Sequence, residues 1–312
     1  MIEIKQYTSS DINVWNDFLY KSRMPIFLFD RNYMEYHSDR FKDNSLMFYD
    51  DENLIAILPL NIVNETDLFS HGGLTFGGFI YSDSIKQYKM LQCFQSLIEY
   101  MKAHSLKKLY YRPSPHMYHR YPSEEDLYSL FYIGAIVEKI EAATVVDFSY
   151  QMKIPKGRKA QIARARREGV VIEESIEYEQ FIQLENDVLQ KYHGTVAVHT
   201  GQELSILHEK FPENIKLYIA RYQGKIVAGA VLYIYPNLVH TQYLASNDCG
   251  RELGALDLVV STVMEIYRKD KQWFDFGKST ENNGKFLNEG LIFQKEGFGG
   301  RTNIYQGWVI NV

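Results

Sequence analysis

The sequence predicts an α/β chain of two tandem domains, each a mixed, mostly antiparallel sheet flanked by helices. Three observations predict it. The chain has 312 residues, and one domain takes roughly 100–200. A strand–turn–strand pattern occurs in each half. A strand–loop–helix–strand pattern follows each of these hairpins at a common separation, with Ser82 and Ser246, and likewise Leu109 and Trp273, standing 164 residues apart.

The first hairpin is read at Ser45–Leu60, where two apolar runs flank a polar turn around Asp51-Glu52. Its counterpart, Lys216–Leu232, turns at Gln223-Gly224. In the first half, Phe79–Asp83 then leads into apolar residues at helical spacing: Met90, Leu91, Phe94, Leu97, Ile98 and Met101. The strand Lys107–Arg112 comes next. In the second half, Tyr243–Asn247 leads into Leu256, Val259, Val260, Val263, Met264 and Tyr267, then into the strand Lys271–Phe276. The two helices align with a two-residue slip. A fixed period is the mark of a copied unit, although strand–helix units also recur by chance in α/β chains. The boundary is expected between Ala142 and Pro155, giving domains 1–145 and 146–312. Directly after it, Lys156–Glu168 is rich in helix formers, and Gly169 sits where a helix C-terminal cap belongs.

Composition narrows the function classes. Apolar residues make up 46% and charged residues 23%, the mix of an ordinary globular chain. The 24 tyrosines suit half-buried strands and clefts. A net charge of −5 argues against a general DNA binder, so contact with phosphate must be local. Cys93 and Cys249 lie far apart in sequence and read neither as a zinc cluster nor as a disulfide framework. No metal is expected. The N-terminal residues carry no basic stretch followed by a long apolar run, so no signal peptide is read, and no uncharged run of ~18 residues predicts a membrane span. The expected location is the cytoplasm.

Four stretches carry a family resemblance. Arg158–Val170 is similar to the basic segment R-x-x-I-R-x-A-x-x-x-G-V that opens the second domain of FemAB-like proteins. Tyr192-His193-Gly194 resembles that family's R-H-G. Tyr243–Ser246 followed by Gly254-Ala255-Leu256 forms the third stretch. Phe274–Ser279 and then Gly290–Gly299 resemble its F-D-F-G-R-S … G-L-x-x-F-K-x-x-F-G ending. The resemblance covers about residues 156–300, and two departures stand out: Leu256 where a small residue is expected, and Gln294 where phenylalanine precedes the lysine. It implies two tandem domains of the acyltransferase fold called GNAT. It also implies transfer of an acyl or aminoacyl group to an amine. The donor would be acyl-CoA such as acetyl-CoA, with tRNA as the less favoured alternative. The acceptor would be a small amine, for instance an amino sugar or a cell-envelope precursor. A GNAT-like protein that binds a ligand without catalysis is the third reading.

Acyl transfer needs a deprotonated amine, a polarised carbonyl and a protonated leaving group. The resemblance places Lys295 near the reacting carbonyl, where an ammonium would stabilise an oxyanion; an exposed helix lysine fits the residues equally. Asp275 points opposite to Phe274 and Phe276 if the segment is a strand, and so reads as a candidate base or as an edge aspartate. Tyr243 would protonate a leaving thiolate, or be a core tyrosine. His193 titrates in the right range, or is a loop histidine. Arg251, Gly254 and Ala255 partly fit the GNAT pyrophosphate loop at a helix N-terminus, and Lys278 and Ser279 complete the expected cofactor site. The first half has no glycine at the matching Ser84–Lys89 and is expected to bind no CoA. Seven cations and no acid lie between Lys153 and Arg167. Arg164 and Arg167, at i,i+3, are the candidates there for gripping a phosphate, and a solvated helix face is the alternative. The glycine-rich Ser70–Phe79 segment offers His71, Gly72 and Gly73 as acceptor-cleft lining or as a bulged turn.

Overall fold

The computed structural model describes residues 2–150 and 153–312, with His193 described in its backbone only. In chain order the elements are β1 (Ile2–Gln6), α1 (Ile12–Lys21), α2 (Arg31–Met34), β2 (Lys42–Asp43), β3 (Leu46–Asp50), β4 (Asn53–Leu58), β5 (Asn61–Ile62), β6 (Asp67–Phe69), β7 (Ile80–Tyr81), α3 (Gln87–Ala103), β8 (Lys108–Tyr111), α4 (Glu125–Tyr132) and β9 (Ile136–Asp147). They continue with α5 (Lys156–Arg167), β10 (Val171–Ser175), α6 (Tyr178–His193), α7 (Gly201–Lys210), β11 (Ile215–Tyr222), β12 (Lys225–Ile234), β13 (Leu238–Ser246), α8 (Asp248–Leu253), α9 (Ala255–Tyr267), β14 (Trp273–Lys278), β15 (Thr280–Glu281), β16 (Phe286–Leu287), α10 (Glu289–Glu296) and β17 (Arg301–Asn311). Both hairpins and both strand–helix–strand units stand where the sequence places them.

The chain divides into two compact units. The first runs to Ala142 and adds Thr280–Phe286 and Ile304–Val312; the second is Ala143–Ser279 with Leu287–Asn303. The expected second domain, 146–312, therefore gives up two C-terminal pieces. The reason is strand pairing: Trp308–Asn311 of β17 ladders antiparallel to Lys108–Tyr111 of β8. Nothing local to the C-terminal sequence announces that partner.

In the second unit the strands lie in the order β10-β11-β12-β13-β14-β9. All neighbours are antiparallel except β13 and β14. Gln223 and Gly224 both take positive φ, 50° and 77°, which is the twist a two-residue hairpin requires. Alternation along β12 sends Ala228, Ala230, Leu232 and Ile234 into a core with Leu258, Val259 and Val263 of α9. Gly229 faces the other way, where a Cβ would lie 2.8 Å from the Phe181 ring of α6. The two helices thus cover opposite faces of the sheet. Helix α5 ends as expected: the Val170 amide donates to the Ala165 carbonyl at 3.0 Å across Gly169, whose φ is +84°.

The first unit holds a sheet β1-β3-β4-β7 and a second ladder β17-β8-β6-β5-β2. Its core is markedly aromatic. Trp15 is fully buried with its indole N–H on the Phe29 carbonyl at 2.8 Å, and Phe79 packs edge-on to both Phe48 and Phe94.

Candidate active site

The feature that organises the second unit is a parting of strands. β13 and β14 pair in parallel only over Leu238–His240 and Trp273–Asp275. β13 continues to Ser246 and β14 to Lys278 without further pairing to each other among the described residues. Each strand is also bulged there. β13 slips at Gln242, and β14 slips against β9 between Asp275 and Lys278. Bulges re-aim side chains and free backbone groups from the ladder.

Two side chains meet at this point, and a third reaches the backbone beside them. Asp275 is 0% exposed, and its Oδ2 lies 2.8 Å from His240 Nδ1. Its Oδ1 accepts the Gly277 amide at 2.8 Å. Asp275 therefore faces neither solvent nor a sheet edge, since β14 has a neighbour on each side. Gly277 adopts φ +69°, and a Cβ there would sit 3.1 Å from the His240 ring; both facts demand glycine. The bulge turns the carbonyls of Gly277 and Lys278 toward α10, where Lys295 Nζ donates to them at 3.1 and 2.6 Å. Lys295 is 7% exposed rather than a surface lysine. Burial lowers its pKa to about 8, with Asp275 opposing that shift. An ammonium has three N–H donors, and among the described residues two are used.

A second polar group lies on β13 and α6. The Tyr243 hydroxyl is 2.7 Å from His199 Nδ1 and accepts the His199 amide at 3.1 Å. Burial raises the Tyr243 pKa. Glu185 of α6 is 7% exposed, and burial raises its pKa to about 7. His193 closes α6, and its side chain lies outside the described residues.

The other sequence candidates are placed as follows. Arg251 bonds Asp248 at 2.6 Å and the Tyr192 hydroxyl at 2.9 Å, and lies over the Tyr192 ring. Gly254 is left-handed at the start of α9, followed by buried Ala255. The space beside Gly254 is filled: a Cβ would be 2.7 Å from the Gln161 carbonyl of α5. The Lys278 side chain is exposed, while Ser279 is buried with a hydroxyl that has no partner among the described residues. Arg164 and Arg167 are exposed, and Arg167 pairs with Glu168 at 3.0 Å. The structurally committed arginine of that run is Arg158. It pairs with Asp257 of α9, donates to the Gln294 carbonyl of α10 at 2.8 Å, and lies 4.2 Å over the Phe298 ring. Arg158 shares one face of α5 with the buried Ile162 and Ala165.

In the first unit, Gly73 packs directly on His37 and Phe41, and the Gly72 amide donates to Asn61 at 2.6 Å. His71 is buried, and burial together with His37 and Arg31 holds its pKa down at about 3. Sequence reasoning missed His240, His199 and Glu185. For His240 the one signal was a histidine within an apolar strand.

No protein-family model matches the chain, and no curated protein does either. Solved structures do. The crystal structure of FemX superposes with a TM-score of 0.70 at 11% identity, over 99% of this chain and 97% of that one. The C-terminal domain of a putative lysylphosphatidylglycerol synthetase from Agrobacterium fabrum gives 0.63 at 13%, over 97% and 92%. A tandem GNAT protein from the clavulanic acid biosynthesis pathway, in a form without AcCoA, gives 0.55 at 10%, over 100% and 98%. The chain has this FemAB-like, tandem GNAT fold along its whole length.

Proposed function

We propose that the second unit is a group transferase that moves an acyl or aminoacyl group from an activated ester or thioester to an amine. One observation carries the reading: where β13 and β14 part, a buried His240–Asp275 pair meets a buried ammonium with an N–H to spare. Those are the parts the chemistry requires. Asp275 holds His240 through Nδ1, which leaves Nε2 to take the proton from the incoming ammonium. The amine nitrogen then bonds to the donor carbonyl carbon and releases its remaining surplus proton to water. The third N–H of Lys295 stabilises the oxyanion. When the carbon–oxygen or carbon–sulfur bond breaks, the leaving group receives the proton back from His240. Tyr243 stands by as an alternative proton donor. The fold shared with FemX and with a tandem GNAT protein supports the reading.

Acyl-CoA is the donor that the sequence resemblance favours. A second reading, an aminoacyl ester carried on tRNA, is favoured by the Gln161 carbonyl packed against Gly254 and by Leu256 beside it. For an amine acceptor, an amino sugar or other envelope precursor is the class to try. The test is to incubate the protein with labelled acetyl-CoA or labelled alanyl-tRNA and glucosamine-containing acceptors, and to follow amide formation. Transfer that Lys295→Ala abolishes supports the assignment. A Lys295→Ala protein that turns over normally removes it.

A further inference from the structure

Glu185 poses a problem that this chemistry does not solve. It is 7% exposed, and its Oε2 is buried without a hydrogen-bond partner among the described residues. Native proteins rarely leave such an oxygen unpaired, and a lone buried carboxylate costs stability.

Its surroundings are built. Phe181, one helical turn earlier on α6, lies against Gly229, so Glu185 looks onto the same sheet face. Val231 shares that face with Gly229, and Tyr243 is the register partner of Val231. Glu185 is near enough for its charge to bear on the Tyr243 hydroxyl. The segment between α6 and α7 closes a third side. Asn186, beside Glu185, accepts the Ala197 amide at 2.8 Å. His199 then turns inward onto Tyr243, while Val196 and Val198 point out to solvent. Thr200 locks the arrangement as a capping box at the start of α7. Three elements therefore converge around one carboxylate oxygen that has no hydrogen-bond partner among the described residues. Among the described residues, no group of three or more His, Cys, Asp or Glu is gathered to hold a metal ion.

We propose that Glu185, with Tyr243 and His199, is a binding site for a primary alkylammonium group. The carboxylate would take a charge-assisted N–H bond, and the Tyr243 ring would face the cation. Given the transferase reading, on which the identity of the ligand rests, that ammonium belongs either to the acceptor amine or to the amino group of an aminoacyl donor.

The probes are D-glucosamine and L-alaninamide, with D-glucose and propanamide as uncharged counterparts. Binding is read by saturation-transfer NMR on wild type and on Glu185→Gln, which keeps the shape and is expected to fold at least as well. At least one amine should bind wild type, bind Glu185→Gln tenfold or more weakly, and outcompete its uncharged counterpart. Glucosamine as the binder identifies the acceptor, and alaninamide the aminoacyl group. Equal binding to both proteins, or no amine binding to wild type, overturns the site. The two readings fail separately. Glu185-dependent amine binding without transfer from either donor leaves this site standing and ends the transferase reading. Lys295-dependent transfer with amine binding indifferent to Glu185 does the reverse.

Discussion

The two units solve the same structural problem in opposite ways. In the second, the parallel partner of β14 peels off after three paired residues and leaves a polar seam. In the first, the strand matching β14 is β8, and the edge that would face the parting is taken by β6, paired in parallel over Asp67–Phe69. The glycine-rich segment then follows β8 onward. The Ser70 amide donates to the Tyr110 carbonyl at 2.8 Å, the Arg112 amide to Ser70 Oγ at 2.7 Å, and the Gly77 amide to the Arg112 carbonyl at 2.8 Å. At the 164-residue separation, Tyr243 corresponds to Phe79 and Asp275 to Tyr111. The Tyr111 hydroxyl is wholly occupied by Asp126 at 2.7 Å and by the Phe79 amide at 2.7 Å. One copy keeps a buried polar seam with titratable groups. The other closes it with an inserted strand and satisfied aromatics. What separates the polar seam from the aromatic core here is whether a further strand pairs with one strand edge.

That contrast is breakable. The largest effect is expected from Asp275→Asn, which keeps the geometry but removes the charge that orients His240. Turnover should fall by roughly 10²–10⁴-fold, measured as kcat with saturating donor. Lys295→Ala should cost about 10²–10³-fold, the scale of one oxyanion donor. In wild type the rate should also drop as pH rises through about 8, because Lys295 then loses its proton. Lys295→Arg should shift that limb upward; an unmoved limb would mean that another group sets it.

Glu185 sharpens the contrast through stability. Folded, it keeps its proton up to about pH 7, whereas the unfolded carboxyl releases it near 4.5. The folded state therefore binds more protons between these values, and stability falls as pH rises through that window. Glu185→Gln should raise the unfolding free energy by up to about 3 kcal/mol at pH 8 and by little at pH 4.5, as followed by urea titration. In the first unit the smallest effects on function are expected. Tyr111→Phe strands Asp126 and should cost about 1–3 kcal/mol of stability while leaving kcat unchanged. Were it to abolish turnover with the fold intact, the first unit would be more than a closed copy.

Local chemistry made much of this legible. The Gln223-Gly224 turn, the Gly169 cap and the apolar faces of α3 and α9 follow from residue type and spacing alone. Lys295 and Asp275 were reachable by family resemblance, but their burial was not. A surface lysine and an edge aspartate were equally consistent with the letters. In the basic run Arg164 and Arg167 stand out as an i,i+3 pair, whereas it is Arg158, on the buried face of α5, that ties α9 to α10.

By itself, the sequence determined the repeated elements, because helix and strand periods, turn residues and caps act over a few positions. Only the tertiary structure decided the site. His240 meets Asp275 through the register of two parallel strands 35 residues apart. The packing of α6 on β13 brings the charge of Glu185 to bear on Tyr243. The same long-range pairing assigned Ile304–Val312 to the first unit. Such contacts depend on which distant surface is available to bury a given face, and no short window of residues carries that information.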